Sequence, residues 1–197
     1  MSVRFVDQET GSIVYPEPFE APSHHVMPNG GTNAPPAGLL VVNPLLAPTT
    51  LYWDTRVPLK FHVERWTRAQ QAKLTESATI PPTTQLELQS SQLPWRICVR
   101  PSTPGLFITV YDVLATIQKG LGSRITWREW RLFEDANKCM ILVARGARVQ
   151  TYSHSCQADE LYNHPRRIDS LGEFTSFAGL TPTPQHASLD LGFKRRV

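Results

Sequence analysis

A five-residue phrase that occurs twice constrains the fold more than any other feature of this sequence. The two copies are Ile108-Thr109-Val110-Tyr111-Asp112 and Ile125-Thr126-Trp127-Arg128-Glu129. In a capping box, the threonine side chain accepts a hydrogen bond from the amide of the third helical residue, and the acid at that position accepts one from the threonine amide. The apolar residue before the threonine often packs against the fourth helical residue. The acid also lies at the positive end of the helix dipole. Each copy therefore predicts a helix start, which argues against Asp112 and Glu129 as a catalytic pair.

The residues that follow extend this prediction to consecutive helices. Glycines at 120 and 122 are expected to end the first helix, and the second copy opens a helix over 127–134. The composition of 136–148 favours a third helix, although a buried strand over Cys139 to Ala144 is the alternative. Met140, Ile141 and Ala144 lie at helical spacing in that segment. The first helix carries an apolar stripe with the helical period: Val110, Val113, Leu114, Ile117 and Leu121.

Alternating apolar and polar residues predict short strands on both sides of these helices. Segments 85–90 and 95–100 are expected to pair as an antiparallel hairpin, whereas 67–78 reads as a polar surface connection. The order of strands, helices and strands predicts the α+β class, with an antiparallel sheet of short strands packed against two or three consecutive central helices. The other expected strands are 51–57, a segment after Gly172, and 188–195, and residues 59–66 are expected as a short strand or an extended piece.

The first 38 residues differ in composition from the rest of the chain. Eight of the 17 prolines lie in the first fifty residues, among glycine, asparagine, serine and histidine. Such a segment buries too little apolar area to offset its ordering entropy. We predict a disordered proline-rich arm over 1–38 and a single globular α+β domain over 39–197. Polyproline II recognition through residues 34–38 is an alternative use of the arm.

Charge and cysteine content limit the classes of partner and the cellular compartment that we expect. The formal net charge is +3, from 20 basic and 17 acidic residues, which is a weak bias for a nucleic-acid-binding protein. Three cysteines without a C-x-x-C pair favour a reducing, intracellular location, cytoplasmic or nuclear. The sequence shows neither an apolar secretion signal nor an apolar run of membrane-spanning length. We therefore expect a partner that is neither nucleic acid nor membrane.

The motifs that usually mark catalysis do not occur in this sequence. The glycines match neither the dinucleotide-binding nor the P-loop pattern, and the G-x-S-x-G elbow is missing. We predict no catalytic, cofactor-binding or metal-binding residues and no cofactor. One polar cluster, His154, Cys156, Glu160 and His164, matches no closed four-ligand zinc spacing. This cluster supports the alternative of a small-molecule-binding protein or an enzyme.

Arginine and tryptophan are dense around the second copy of the phrase. Two interpretations remain open: a partner-binding surface, because tryptophan and arginine are enriched in interface hot spots, or two core tryptophans rimmed by solvated arginines. The favoured function is a non-enzymatic protein- or peptide-interaction domain. A weak single-stranded nucleic-acid binder is a further alternative, since aromatic and arginine side chains also stack on bases. The candidate partner-binding residues are Arg56, Arg124, Trp127, Arg128 and Arg131.

Five short motifs in a fixed order resemble an uncharacterised domain family. They are Trp53-Asp54-x-Arg56, then Ala78-Thr79-Ile80-Pro81-Pro82, then Pro94-Trp95, then Ile108-Thr109-Val110-x-Asp112-Val113-Leu114, and finally Arg166-Arg167-Ile168-Asp169 leading to Phe177-Ala178-Gly179-Leu180. Over about residues 40–195 the chain resembles a domain of unknown function that is abundant in mushroom-forming fungi. The resemblance brings no established activity, so it implies no catalytic residues.

Overall fold

A computed structural model of the chain describes residues 40–152, 164–184 and 188–195. The predicted arm over 1–38 and the cluster residues His154, Cys156 and Glu160 lie outside the described residues. The described residues combine helices and strands, which confirms the predicted α+β class. The elements are β1 (Val41–Val42), α1 (Leu59–Val63), α2 (Arg68–Ala72), β2 (Thr79–Ile80), β3 (Leu86–Gln89), β4 (Ile97–Val99), α3 (Val110–Gly122), α4 (Trp127–Trp130), α5 (Asp135–Tyr152), β5 (Ser176–Pro182) and β6 (Ser188–Lys194), with 3₁₀ helices at Pro44–Leu46, Lys73–Thr75 and Arg167–Leu171.

The main sheet has four strands in the order β4-β3-β6-β5, and β1 pairs with β2 in a separate ladder. The predicted hairpin is confirmed, because β3 and β4 pair antiparallel with Leu86 opposite Val99. Strands β5 and β6 also pair antiparallel. The central pair, β3 with β6, is parallel and places Leu88 opposite Leu189. A parallel pair needs a long crossover, and the chain between these two strands contains α3, α4 and α5.

The first copy of the phrase caps α3 as predicted. The Thr109 hydroxyl oxygen accepts a hydrogen bond from the Asp112 amide at 3.1 Å, and the Asp112 carboxylate accepts from the Thr109 amide at 2.9 Å. That carboxylate also accepts from the Thr109 hydroxyl at 2.7 Å and from the Ser102 amide at 3.2 Å. Burial alone raises the pKa of Asp112, but the hydrogen bonds from Thr109 and Ser102 outweigh burial and leave the pKa below its ordinary value.

Helix α3 supplies the centre of the core. Its predicted apolar stripe is buried throughout, and the helix packs against β4 and two of the 3₁₀ helices. Trp53 and Phe177 lie beside this core with ring centroids 5.8 Å apart. Gly179 has φ +110°, and a Cβ atom there would lie 2.5 Å from the Pro48 Cα atom. Only glycine therefore lets β5 approach the segment around Pro48 so closely.

The predicted strand over 51–57 is wrong. Its backbone does meet the edge of the sheet, because the Thr55 amide donates to the Thr175 carbonyl at 2.9 Å and the Phe177 amide donates to the Trp53 carbonyl at 2.8 Å. Only an isolated bridge between Asp54 and Ser176 forms. The Asp54 carboxylate accepts a hydrogen bond from the Arg56 amide at 3.1 Å, and this side-chain turn ends the extended segment.

Two further predictions between residues 59 and 78 are also wrong. Residues 59–66 were expected as a short strand or an extended piece, but Leu59–Val63 is helical and only Leu59 of it is buried. The alternation of apolar and polar residues in this segment therefore did not correspond to the two faces of a strand in a sheet. Residues 67–78 were expected as a connection, but they contain α2, which starts with a capping box between Thr67 and Gln70. That threonine and glutamine have capping-box spacing, so the sequence carried the signal.

The helices after α3 confirm part of the prediction. Thr126 and Glu129 form the second capping box, but α4 spans only Trp127–Trp130 and contains no buried residue. The interpretation of Trp127 and Trp130 as core residues is therefore wrong. Asp135–Tyr152 is one helix, which confirms helix over the alternative strand. Met140 was expected on its packed face, but 58% of Met140 is exposed.

We predict that the two capping threonines differ in their contribution to stability. Thr109→Ala removes bonds to a buried carboxylate at a core helix, so it should lower the free energy of unfolding by about 1.5 kcal/mol. Thr126→Ala acts on an exposed four-residue helix and should cost about 0.5 kcal/mol or less. Urea unfolding at pH 7 measures both, and Thr109→Ser, which keeps the hydroxyl, is the control. A larger loss at Thr126 would contradict the prediction.

Candidate functional site

Four of the five candidate partner-binding residues lie on or beside α4 and are exposed. Arg124, Arg128 and Arg131 are all exposed, and 37% of Trp127 is accessible to solvent. The guanidinium carbon of Arg131 lies 5.4 Å from the centroid of the Trp127 ring. Within the described part of the chain, none of these three arginines forms an ion pair. We call these four residues the Arg–Trp surface.

A polar and aromatic stack holds the rear of α4. The Glu129 carboxylate accepts a hydrogen bond from the Thr126 amide at 2.9 Å and also pairs with the Arg167 guanidinium. The guanidinium carbon of Arg167 in turn lies 5.0 Å from the Trp95 ring centroid. Trp95 packs edge-on against Phe133 at 5.9 Å between centroids. Glu129 is therefore occupied by capping and by Arg167, as expected for a structural acid.

Helix α5 turns apolar side chains outward. Met140 is 58% exposed and Val143 is 73% exposed, and Cys139 is exposed beside them. In contrast, Arg145 and Arg148 are partly buried on the inner side, next to the buried Ile141. The helix thus presents apolar side chains to solvent as well as to the core, whereas the apolar residues of a surface helix usually face the core. The sequence pattern could not indicate this, because it shows which residues share a helix face but not which face packs against the core.

A cleft lies between α5, the 3₁₀ helix Arg167–Leu171 and the turn at 54–57. It has two lobes, of about 290 Å³ and about 230 Å³, and both lobes are lined by Arg56, Arg148 and Ile168. The first lobe is also lined by Asp54, Val57, Ala144, Ala147, Asp169, Gly172 and Thr175, and the second by Thr55, Pro58, Gln118, Gly122 and Arg166. Apolar walls with a few charged groups are typical of small-ligand sites.

A buried ion pair forms the floor of this cleft. The Arg148 Nε and Nη2 atoms donate to the two Asp169 oxygens, each at 2.8 Å. The side chains are only 9% and 3% exposed. Arg148 Nη2 also donates to the His164 carbonyl at 3.1 Å, and Asp169 accepts from the Arg166 amide at 2.8 Å. This bidentate pair fixes the guanidinium in one orientation.

Two residues that line the first lobe each carry a buried donor with no partner among the described residues. These donors are the third guanidinium nitrogen of Arg148, Nη1, and the hydroxyl of Thr175. Both atoms are shielded from bulk water, so solvent does not satisfy them. A buried donor without a partner costs about 1–3 kcal/mol. Such groups deserve a functional explanation, because most buried polar atoms in folded proteins are hydrogen-bonded.

Arg56, the fifth candidate residue, lies at the cleft. Its Nε and Nη2 atoms donate to the two oxygens of Asp54 at 3.1 and 3.0 Å. Asp54 is nearly buried, whereas Arg56 is exposed. Behind this pair, burial lowers the pKa of His62 below its ordinary value, since the opposing effect of the Asp54 carboxylate is smaller and Arg65 lowers the pKa further. Arg56 and Arg148 are thus both fixed by bidentate carboxylates.

The backbone links the cleft wall to the Arg–Trp surface. Arg124 and Arg166 form an isolated bridge, with the Ile125 amide donating to the Pro165 carbonyl at 2.9 Å and the Arg167 amide donating to the Ser123 carbonyl at 2.9 Å. The Arg–Trp surface and the cleft therefore share one structural support. Arg56 lines the cleft with Arg148 and Arg166, neither of which was a candidate site residue.

The predicted polar cluster over residues 154–164 lies mostly outside the described residues. Of its members, only His164 is described, half-buried and with its carbonyl bonded to Arg148. Across residues 40–152, 164–184 and 188–195, no group of three His, Cys, Asp or Glu side chains is placed to hold a metal ion. In the same residues, no helix is long and apolar enough to cross a membrane.

The described residues form a small α+β domain with an arginine-lined cleft and an exposed Arg–Trp surface. Residues 51–188 match the model of a family described as a family of unknown function (DUF6699). Because the match covers more than half of the chain, the chain belongs to this family. Comparison with curated proteins and with solved structures gives no match to either.

The buried pair in the cleft floor gives a stability prediction. Arg148→Met leaves the Asp169 charge buried without its partner, so it should lower the free energy of unfolding by about 3–5 kcal/mol. Arg148→Met/Asp169→Asn removes that charge and should recover a large part of the loss, because the amide oxygen still accepts from the Arg166 amide. Urea unfolding of the wild type and both variants measures this. A double variant less stable than Arg148→Met would contradict it.

Proposed function

We propose that this chain is a non-enzymatic domain that binds a protein or peptide segment carrying acidic side chains, through the Arg–Trp surface. The observation that carries the proposal is the exposed Trp127 with Arg131 against its ring, beside two further exposed arginines. In the described part of the chain no carboxylate pairs with these arginines. Tryptophan and arginine together are the residues most enriched in binding hot spots.

The chemistry of the surface indicates the kind of partner. Guanidinium groups bind carboxylates with two parallel hydrogen bonds, which gives both affinity and orientation. Leu132 follows Arg131 directly and is exposed. A segment that alternates acidic and apolar side chains would therefore match Arg128 and Arg131 through its acids, and Trp127 and Leu132 through its apolar residues.

The rear of α4 supports this role because it holds the surface rigid. Arg167 pairs with Glu129 and stacks on Trp95, so a four-residue helix stays in place without a buried apolar face. A surface that is fixed before binding loses less conformational entropy when the partner binds. This support favours recognition by a preformed site over a segment that folds upon binding.

Two alternatives use neighbouring features. Single-stranded nucleic acid would also stack on Trp127 and contact the arginines, although the net charge of +3 is low for such a protein. A small-molecule or enzymatic site would lie in the cleft or at the cluster near 154–164. The first alternative competes for the same residues as the proposed partner, so the same experiment distinguishes them.

We predict that charge reversal on the Arg–Trp surface abolishes binding of acidic peptides. Peptides selected from a random displayed library on the full chain should be rich in Asp and Glu. Their affinity, measured by fluorescence polarisation, should fall about tenfold or more for Arg128→Glu/Arg131→Glu, since two charge-assisted contacts become repulsive. Their affinity should also fall with added salt.

Arg65→Glu/Arg68→Glu is the matched control, because these two arginines are also three residues apart and exposed. The control variant should bind the selected peptides like the wild type. Equal loss in both variants, or peptides without acidic residues, would contradict the assignment. Tighter binding of labelled oligothymidine than of any selected peptide would instead support the nucleic-acid alternative.

We also infer that the protein is intracellular, either cytoplasmic or nuclear. We infer further that it belongs to the type of this family that is abundant in mushroom-forming fungi. The location is supported by the free thiols of Cys98 and Cys139, and the fungal type by the order of the five motifs. Microscopy of the chain fused to a fluorescent protein tests the location, and secretion would contradict it. A survey that found these motifs mainly outside fungi would contradict the second inference.

A further inference from the structure

We propose that the cleft between α5, the 3₁₀ helix Arg167–Leu171 and the turn at 54–57 binds a small organic oxyanion, a carboxylate or a phosphate monoester. Arg56, Arg148 and Thr175 would hold its acidic group. This site is separate from the Arg–Trp surface, and it does not depend on the function proposed for that surface.

The guanidinium of Arg148 is built as an anion receptor. Its Nε and Nη2 atoms are held at 2.8 Å by Asp169, and this leaves Nη1 without a partner among the described residues. With its side chain only 9% exposed, Arg148 cannot swing away to solvent. A donor fixed in this way by a supporting carboxylate binds a ligand with little loss of side-chain entropy.

The hydroxyl of Thr175 is the second independent observation. It also has no partner among the described residues, and Thr175 lines the same lobe as Arg148. Its backbone carbonyl is already used by the Thr55 amide and hydroxyl, at 2.9 and 2.7 Å, so the backbone position is fixed. A hydroxyl beside a guanidinium is a suitable donor pair for a carboxylate or phosphate oxygen.

Charge favours an anion over a cation in this cleft. Three arginines and two aspartates line the lobes: Arg56, Arg148 and Arg166 against Asp54 and Asp169. Each aspartate is already held by one arginine, so a cation would have to displace an arginine to reach either carboxylate. A guanidinium also hydrogen-bonds carboxylates and phosphates especially well, because their oxygens match its planar arrangement of donors.

The size of the cleft sets the scale of the ligand. Lobes of about 290 Å³ and 230 Å³ share Arg56, Arg148 and Ile168, and sites for small organic molecules are typically of a few hundred Å³. Val57, Ala144 and Ile168 supply apolar wall next to the arginines. The ligand is therefore a small molecule with one acidic end and an apolar body, and not an inorganic ion alone.

Thermal unfolding of the full chain with added anions tests the site. Inorganic phosphate, phenyl phosphate and benzoate are the probes, each against sodium chloride at the same ionic strength. We expect a saturable rise in Tm with benzoate or phenyl phosphate, because a ligand that binds only the folded state stabilises it. The stronger of these two probes identifies carboxylate or phosphate as the preferred acidic group, and inorganic phosphate should act more weakly.

Two variants locate the binding. Thr175→Val removes an unpartnered hydroxyl, so it should leave the Tm without ligand unchanged or higher and weaken probe binding about fivefold. Arg56→Gln should weaken binding about tenfold. Ser176→Ala is the control, since this buried hydroxyl also has no partner among the described residues but does not line either lobe.

No saturable Tm shift with any probe would overturn the proposal, as would unchanged probe affinity in Thr175→Val. Equal losses of affinity in Thr175→Val and Ser176→Ala would also overturn it, because the effect would then come from β5 in general. Arg128→Glu/Arg131→Glu should keep wild-type probe affinity. Failure of the cleft and failure of the Arg–Trp surface are therefore distinguishable.

Discussion

The buried ion pair of Arg148 and Asp169 joins the structural elements that support both the cleft and the Arg–Trp surface. It fixes α5 to the 3₁₀ helix Arg167–Leu171, and the residues before that helix pair with the backbone at 123–125. Removing a buried charge from water is costly unless a partner compensates it, so neither residue tolerates the loss of the other. Arg148 faces inward to meet Asp169, while Met140 and Val143 of the same helix are exposed to solvent.

The two surfaces rest on different physical arrangements. The Arg–Trp surface is exposed, and its arginines meet no carboxylate in the described part of the chain, so its proposed partner is large and acidic. In the cleft, by contrast, Arg56 and Arg148 are held in carboxylate pairs, and the unpartnered donors of Arg148 and Thr175 are shielded from bulk water. A preformed site with little solvent suits a small anion. The backbone bridge between Arg124 and Arg166 connects the segments that carry the two surfaces.

Sequence patterns predicted the elements that local chemistry specifies. The capping boxes at Thr109 and Thr126 and the hairpin of β3 and β4 are confirmed, because caps and tight turns depend on residues a few positions apart. The strands at 51–57 and 59–66 were wrong, since Asp54 turns the chain and Pro58 precedes a helix. Alternation over a few residues does not distinguish a half-buried strand from an irregular segment against the core.

The sequence by itself determined the α+β class, the start of α3 and α4, and the absence of the common nucleotide and nucleophile motifs. Only the tertiary structure decided the parallel pairing of β3 with β6, the outward apolar face of α5 and the cleft. These features depend on contacts between distant residues, such as Arg148 with Asp169 and Thr55 with Thr175, which are 21 and 120 positions apart. A sequence pattern shows which side chains share a face of a helix or strand, but tertiary contacts decide what each face packs against.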